Sequence, residues 1–367
     1  MKICFITTGN IKYIATSKRA FGMANPLSNL GWDVHLLIED VEENRKRSLM
    51  ECNENVTVHY FPKGNALAEL KSKNTILKSI KPDVIYLCAF VFRNIVRKYG
   101  AKALSEHSEL QSAIQDLKVI KRYQVKFLEN YSILYSDGVL CASKYLEKFF
   151  IQKANKYHSK INVMHFPYAY SKELYKALPD ELLTNNFISL KDKINFVYLG
   201  TITNNYGAKL MVTAFDTLLK THSNIRLIML GRGRHYDETL ALVKEKGMDE
   251  GILMPGFIEE EDIERYFSVA DAFISPMNDT IQDWARCPSK LYMYLPYKKP
   301  IFTCKIGEPY EVLKDDGKYF LTGSADNLAE TIKDFLENDT TSSTVNPDLH
   351  TWEQRTMEFD QWTKKVI

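Results

Sequence analysis

Short apolar runs alternate with amphipathic stretches along the whole chain. KICFITTGN (2–10), WDVHLLIED (32–40), VTVHYF (56–61), KPDVIYLCAF (81–90), AKALSEHSEL (101–110), DGVLCAS (137–143) and KINVMHFPY (160–168) have the length and composition of strands. Residues 17–30, closed by Gly31, and residues 112–135 carry helical periodicity, while the charged residues 42–54 suit a helix or a loop. Periodicity lapses over 169–192, where Pro179 and Thr184-Asn185-Asn186 read as a linker. It restarts with INFVYLGTITNNYG (194–207) and NIRLIMLGRGRHYDE (224–238), each a strand entering a glycine turn and then a helix. The densest stretch is 251–317. Its apolar runs at 252–254, 272–274 and 300–303 are followed by Pro255-Gly256, Pro276-Met277-Asn278-Asp279 and Gly307-Glu308-Pro309. Helices over 260–268 and from near Ser289 separate these runs. Residues 324–338 read as a helix capped by Ser324, and 340–344 as a loop. The terminal helix over 350–367 offers Trp352, Met357, Phe359 and Trp362 for packing.

Strand–helix alternation that restarts after a linker predicts an α/β fold: two doubly wound, Rossmann-like domains facing each other across a cleft. The expected boundaries are 1–168, a linker over 169–192, a second domain over 193–345, and a helix over 346–367 crossing back to the first, with Trp352 and Trp362 in the seam. Ligands of open α/β sheets bind beyond the carboxyl ends of the strands, so 251–317 supplies three candidate binding loops on one sheet edge.

At 367 residues and 45% hydrophobic content, the chain can bury two cores. The net charge of +2 hides an asymmetry: residues 1–168 hold 25 basic against 15 acidic residues, and 169–367 hold 23 against 31. A half at +10 attracts a phosphate, an anionic membrane or an acidic polymer, or is simply hydrated. Lys118, Lys121, Arg122 and Lys126 recur at helical spacing and are expected to share one face. The six cysteines form no CxxC pair, and four lie in apolar runs, against a disulfide framework or zinc site. No signal peptide and no run long enough to span a bilayer are visible, so the expected location is cytoplasmic, with peripheral membrane contact as an extension.

Gly9 ends the first strand and permits close backbone approach to a ligand, but GxGxxG is absent and a dinucleotide cofactor is unsupported. HExxH, GxSxG, a Walker loop and metal-spaced His/Asp clusters are also missing, which leaves out metalloprotease, hydrolase and P-loop readings. His107 closes a strand between Glu106 and Glu109, where it can bond a ligand hydroxyl and have its pKa raised by the carboxylates, or else lie on a polar surface loop. Gly231-Arg232-Gly233-Arg234 can hold a phosphate or stand solvated.

FVYLGTI, GAKLMVTAFDTLL, IRLIMLGRG, MPGFIEEEDIERYFSVADAFISP, PSKLYMYLPYKKPIF and IGEPYEVLKDDG occur in one order over 194–340, with looser matches at KPDVIYL, EHSEL, SDGVLCASKYLEKFF and INVMHFPYA. In this ordered set the chain resembles the GT-B nucleotide-sugar glycosyltransferases, especially the large retaining family that builds bacterial glycans. The resemblance implies a first domain on the acceptor side and a second that binds the donor. It places Gly9, Gly200, Thr201 and Arg232 near donor phosphates, and Phe257 and Ile258 beside the nucleobase. Lys290, at a helix start with Ser289, neutralises diphosphate together with the helix N-terminus, and Asp283 and Arg286 complete the donor set. His107, Glu106 or Glu109 contacts the sugar or takes the acceptor proton. The family's paired glutamates fall at Ala285 and Met293, and its Arg/Lys pair falls near Thr201 and Tyr206. A lysine followed by a non-carboxylate also resembles inverting glucuronosyltransferases of exopolysaccharide assembly.

The expectation is a metal-independent transfer of a hexosyl group from a nucleotide diphosphate sugar to a glycan or lipid-linked acceptor in bacterial surface polysaccharide synthesis. No cofactor beyond the donor, no nucleic acid partner and an anionic membrane surface as a further partner go with it. The alternatives are a nucleotide-sugar epimerase of the same fold and a non-catalytic subunit that binds a nucleotide or a partner.

Overall fold

The computed structural model describes residues 1–11, 15–338 and 342–367. Part of the loop expected over 340–344 therefore lies outside the described residues. The chain divides into two compact units: Met1–Ala169 with Trp284–Cys287 and Asp348–Ile367, and Tyr170–Asp283 with Pro288–Pro347.

In the first unit the order is β1 (Lys2–Ile6), α1 (Ala15–Asn29), β2 (Asp33–Glu39), α2 (Glu42–Glu51), β3 (Val56–Phe61), α3 (Ala66–Ile80), β4 (Val84–Leu87), β5 (Lys102–His107), α4 (Val119–Tyr135), β6 (Gly138–Cys141), α5 (Lys144–Lys156) and β7 (Asn162–His165). The seven strands are parallel in the order β3-β2-β1-β4-β5-β6-β7. The five inner strands, β2, β1, β4, β5 and β6, are buried on both faces almost throughout, as a sheet covered by helices on both sides requires, whereas the edge strands β3 and β7 are only partly buried. The order reverses between β1 and β4. The loops beyond those two strands open the crevice that this topology offers a ligand.

The second unit follows with α6 (Asn185–Ile188), β8 (Ile194–Leu199), α7 (Ala208–Leu218), β9 (Ile225–Leu230), α8 (Tyr236–Glu245), β10 (Ile252–Gly256), α9 (Glu260–Ser268), β11 (Ala272–Ser275), the start of α10 (Ile281–Ala285, whose residues from Trp284 on belong to the first unit), α11 (Ser289–Tyr294), β12 (Ile301–Thr303), α12 (Gly307–Leu313), β13 (Lys318–Tyr319) and α13 (Ala325–Asn338). Its six parallel strands run β10-β9-β8-β11-β12-β13, with the reversal between β8 and β11. The last helix, α14 (Trp352–Val366), belongs to the first unit.

Three expectations change. The helix read over 112–135 begins only at Val119, because the Arg122 side chain donates to the carbonyls of Ile114 and Gln115 and holds the preceding segment as a turn. Arg122 is thereby turned inward, away from the face assigned to it with Lys118, Lys121 and Lys126. Residues 170–192 pack on the second unit: Leu178 N donates to Ser268 Oγ, Phe187 meets Tyr266 edge-on, and Asn195 Nδ2 donates to Leu190 O. The tryptophans of α14 fill the first unit's own interior instead of a seam. Trp352 lies against Gly22 and Trp362 against Gly138, both where any Cβ would collide with the indole, and Trp32 Nε1 donates to Asp360. Met357 faces solvent.

Candidate functional site

The first unit holds a cavity of about 240 Å³ at the carboxyl ends of β1, β4 and β5, lined by residues that include Thr8, Phe90, His107, Glu109 and Glu129. The loop after β1 turns at Gly9, whose φ of 74° suits glycine. Gly9 N donates to Glu39 Oε2 at 3.1 Å, and Asn44 Nδ2 donates to Gly9 O at 3.1 Å, so the loop is pinned to the sheet from both sides.

Adjacent residues of a strand point to opposite faces, and β5 uses both. Glu106 points away from the cavity floor into the core, where Arg19 Nε donates to Oε1 at 2.7 Å and Tyr86 Oη donates to Oε2 at 2.9 Å. Arg19 is fully buried, donates also to the carbonyls of Phe166 and Pro167, and lies over the ring of Phe166. Burial pushes the Glu106 carboxyl above its ordinary range, against the pull of Arg19 and Tyr86. With both oxygens committed, Glu106 holds Arg19 and is not placed to take a proton from a ligand. Arg19, in an otherwise apolar helix face with Ala20, Met23, Ala24 and Leu27, was not singled out by sequence reasoning, although an arginine in such a stripe is itself a signal.

His107 turns the other way. Its ring lies 4.2 Å from that of Phe150, and Nε2 is 3.1 Å from Ser132 Oγ. Ser132 Oγ spends its own proton on Glu129 O at 2.8 Å, so the network assigns the His107 proton to Nε2 and leaves Nδ1 an acceptor. Burial drives the His107 pKa down to about 3, with Lys153 adding to the shift. The expected rise from flanking carboxylates is corrected: Glu106 faces the other side of the sheet. The imidazole is neutral, able to position a hydroxyl and unable to serve as a cation.

Of the cavity's carboxylates, Glu129 accepts from Ser112 N and Ser112 Oγ at 3.0 and 2.9 Å. Glu109 is half-buried and has no hydrogen bond among the described residues. Burial raises its pKa, and Arg286, on the 284–287 segment of the same unit, opposes the rise. Arg286 thus acts on Glu109.

In the second unit, the loops after β8, β9 and β10 brace one another. Gly200 N donates to Leu230 O, Ile202 N to Arg232 O and Gly231 N to Gly256 O, at 2.9, 3.2 and 2.7 Å. Gly231, at φ 131°, lies so close that a Cβ would sit 2.0 Å from Gly200 O. A Cβ on Gly200 would sit 2.9 Å from Lys290 Nζ, which itself lies 3.9 Å from the centre of the Tyr198 ring. Arg232 extends over Tyr236, 4.5 Å from the ring centre, with Nε beside Gly256. Thr201 and Phe257 are exposed next to these cations, and Ile258 is half-buried. Gly200, Thr201, Arg232, Lys290 and Phe257 thus gather at the carboxyl edge of one sheet. Asp283 is buried and accepts from Thr280 Oγ1 at 2.8 Å, as part of its own turn. Helix α11 spans six residues, so the charge at Ser289-Lys290 rests on the ammonium more than on a helix terminus. Ala285 and Met293, where the resemblance puts glutamates, are both buried.

Among the described residues no three His, Cys, Asp or Glu side chains cluster as metal ligands, and no helix is long and apolar enough to cross a membrane.

Residues 183–350 match the family model of glycosyl transferases group 1. A lipopolysaccharide 1,2-N-acetylglucosaminetransferase of Salmonella typhimurium is 23% identical over 147 residues, 38% of this chain and 37% of that protein. The match thus spans little more than a third of that curated relative's length. Sucrose-phosphate synthase from Thermosynechococcus elongatus superposes with a TM-score of 0.78 at 14% identity, covering 100% of this chain and 99% of that one. Anabaena HepE, in complex with UDP and glucose, gives 0.78 at 12% identity, covering 99% of both chains. At these identities the structures establish the fold, which is that of the GT-B glycosyltransferases.

Proposed function

We propose that this chain moves a hexosyl group from a nucleotide diphosphate sugar to a glycan or lipid-linked acceptor in bacterial surface polysaccharide synthesis. The observation that carries the reading is the cationic glycine cradle of the second unit, with Lys290 Nζ seated at Gly200 and Arg232 at Gly256, inside the stretch that matches the group 1 model. As the bond from the anomeric carbon to the β-phosphate oxygen breaks, charge builds on the departing nucleoside diphosphate. Lys290 and Arg232 are preorganised to stabilise it, and Phe257 is exposed to stack on the base. The acceptor oxygen bonds to the anomeric carbon and loses its proton to Glu109, while the neutral His107 accepts a hydrogen bond from a sugar hydroxyl at Nδ1. The two cations supply the charge, so the reading includes no metal and no organic cofactor.

The UDP complex of HepE supports a uridine diphosphate sugar as donor, and the Salmonella relative supports a lipid-borne glycan as acceptor. We place the protein in the cytoplasm, peripheral to an anionic membrane that carries the acceptor, in keeping with the +10 charge of residues 1–168.

The test is turnover of a panel of uridine and guanosine diphosphate sugars with and without glycan acceptors, in buffer containing a chelator. The reading expects acceptor-dependent transfer that survives chelation and falls about 10²-fold or more in Lys290→Ala. Full rates in both Lys290→Ala and Glu109→Gln would overturn the assignment. Conversion of the donor sugar without acceptor would make the protein an epimerase. The apolar residues at 285 and 293 give weight to one further outcome, nucleotide binding without any turnover, which would make it a binding subunit.

A further inference from the structure

Helix α4 presents to solvent the side chains that its periodicity would normally bury. Ile120, Tyr123, Phe127 and Leu134 are exposed by 75, 71, 65 and 68%, with Tyr131 between the last two. Their spacing of three and four residues makes one continuous stripe on the helix. Phe127 and Tyr131 stack with ring planes 7° apart, which gives the stripe a flat aromatic centre. Exposed apolar side chains in isolation are ordinary, whereas a contiguous stripe of this kind marks a surface that something covers.

The charge around the stripe says what. At 3.6 residues per turn, Lys121 and Lys126 project roughly 100–120° to either side of it. Helix α5 adds exposed Lys148 and Lys156 and the exposed Ile151. Lys153 of α5 reaches α4 through Asn130, and Lys126 and Lys156 are close enough to act on its charge. Neither helix presents a free acid. Glu129, the sole acid of α4, is buried on Ser112, and Glu147, the sole acid of α5, pairs with Lys144 and His165 N. A surface meant for a second copy of this chain would bring its lysines against the same lysines. An apolar stripe flanked by exposed lysines, on two helices whose own acids are already committed, matches a bilayer interface, with apolar depth under an anionic headgroup layer.

We infer that the α4 stripe inserts its aromatic and aliphatic side chains into the headgroup boundary of an anionic membrane while the lysines of α4 and α5 engage lipid phosphates. The inference rests on the membrane-borne acceptor proposed above and deepens it: docking is by insertion as well as by charge. Aromatic side chains, apolar with a polar edge, suit that boundary.

The full chain is sedimented with phosphatidylcholine vesicles and with vesicles of equal parts phosphatidylcholine and phosphatidylglycerol, at low and high salt. The inference expects preference for the anionic vesicles and a bound fraction that persists at high salt. Tyr123→Ser with Phe127→Ser is expected to lower partitioning on the order of tenfold or more. In Phe127→Trp, the indole emission should shift to the blue and be quenched by bromine-labelled acyl chains. Binding of a nucleoside diphosphate is measured in the same samples, so loss of vesicle binding with donor binding intact separates failure of this inference from failure of the transferase reading. Absence of vesicle binding, equal binding of the serine variant, or an unquenched indole would overturn the insertion. So would a self-associated protein that the serine substitutions turn monomeric, because it would assign the stripe to a second copy.

Discussion

Glu109 and His107 stand two residues apart, yet burial moves their pKa values in opposite directions. Glu109 is the cavity carboxylate with no hydrogen bond among the described residues, and burial raises its pKa. In its proposed role as the base Glu109 works when deprotonated, so kcat/KM should fall as pH drops through that raised value and hold above it. Glu109→Gln should lose on the order of 10²–10⁴ in kcat together with this acid limb, while nucleotide affinity stays within a few-fold. A pH–rate profile of the two proteins checks both. His107 titrates the other way round. Its folded pKa of about 3 lies below the ordinary value near 6.5, so its contribution to stability is complete above about pH 6.5 and is lost as pH falls toward the folded value. Between pH 7 and 5 the first unit should lose about 2 kcal/mol through this group. Denaturant unfolding of His107→Gln against the parent should show that difference removed. A sequence reading that sets Glu106 beside His107 predicts the opposite shift, because it counts neighbours along the chain. In a strand, the neighbour in sequence is on the far side of the sheet, and Glu106 spends its charge on Arg19.

At the scale of elements, the strands were legible because most are short, largely buried apolar runs ending in turn residues, and the glycines after β8 and β9 mark where loops cross. What the sequence could not supply is the closeness of that crossing. Gly231→Ala combines a strained φ with a Cβ 2.0 Å from Gly200 O, and should cost about 3 kcal/mol or more in the second unit and displace the Gly200 loop from Lys290. Thermal unfolding and nucleotide titration of this variant measure the two effects; an unchanged melting temperature would contradict the packing described. Helix α4 shows a different limit. Helical periodicity identifies an apolar face without saying whether anything covers it. The start of α4 is equally hidden from periodicity, since Arg122 holds the preceding turn through backbone carbonyls.

For the whole molecule, the terminal helix is the least local part of the first unit. Trp352 and Trp362 lie against Gly22 and Gly138, and Phe359 contacts Trp32, Tyr86 and Phe166, all far earlier in the chain. Buried aromatics contribute about 3–5 kcal/mol each, against a total of about 5–15 kcal/mol for a domain. A chain ending at Pro347 should therefore lose the cooperative transition of the first unit while nucleotide binding by the second persists; calorimetry of the truncated protein decides this. Its aromatic content was visible in the sequence. Its destination was not, because Gly22 and Gly138 become receptors for indole rings only once the sheet and α1 are in place.

The proposed transfer requires that the glycine cradle of the second unit bind a nucleoside diphosphate through Lys290. Isothermal titration of the intact protein with uridine diphosphate and guanosine diphosphate, beside Lys290→Ala of unchanged melting temperature, tests it most directly. Saturable binding of at least one nucleotide is expected, weakened on the order of tenfold or more in the variant. Failure of the parent protein to bind either nucleotide, or equal affinity in Lys290→Ala, would contradict it.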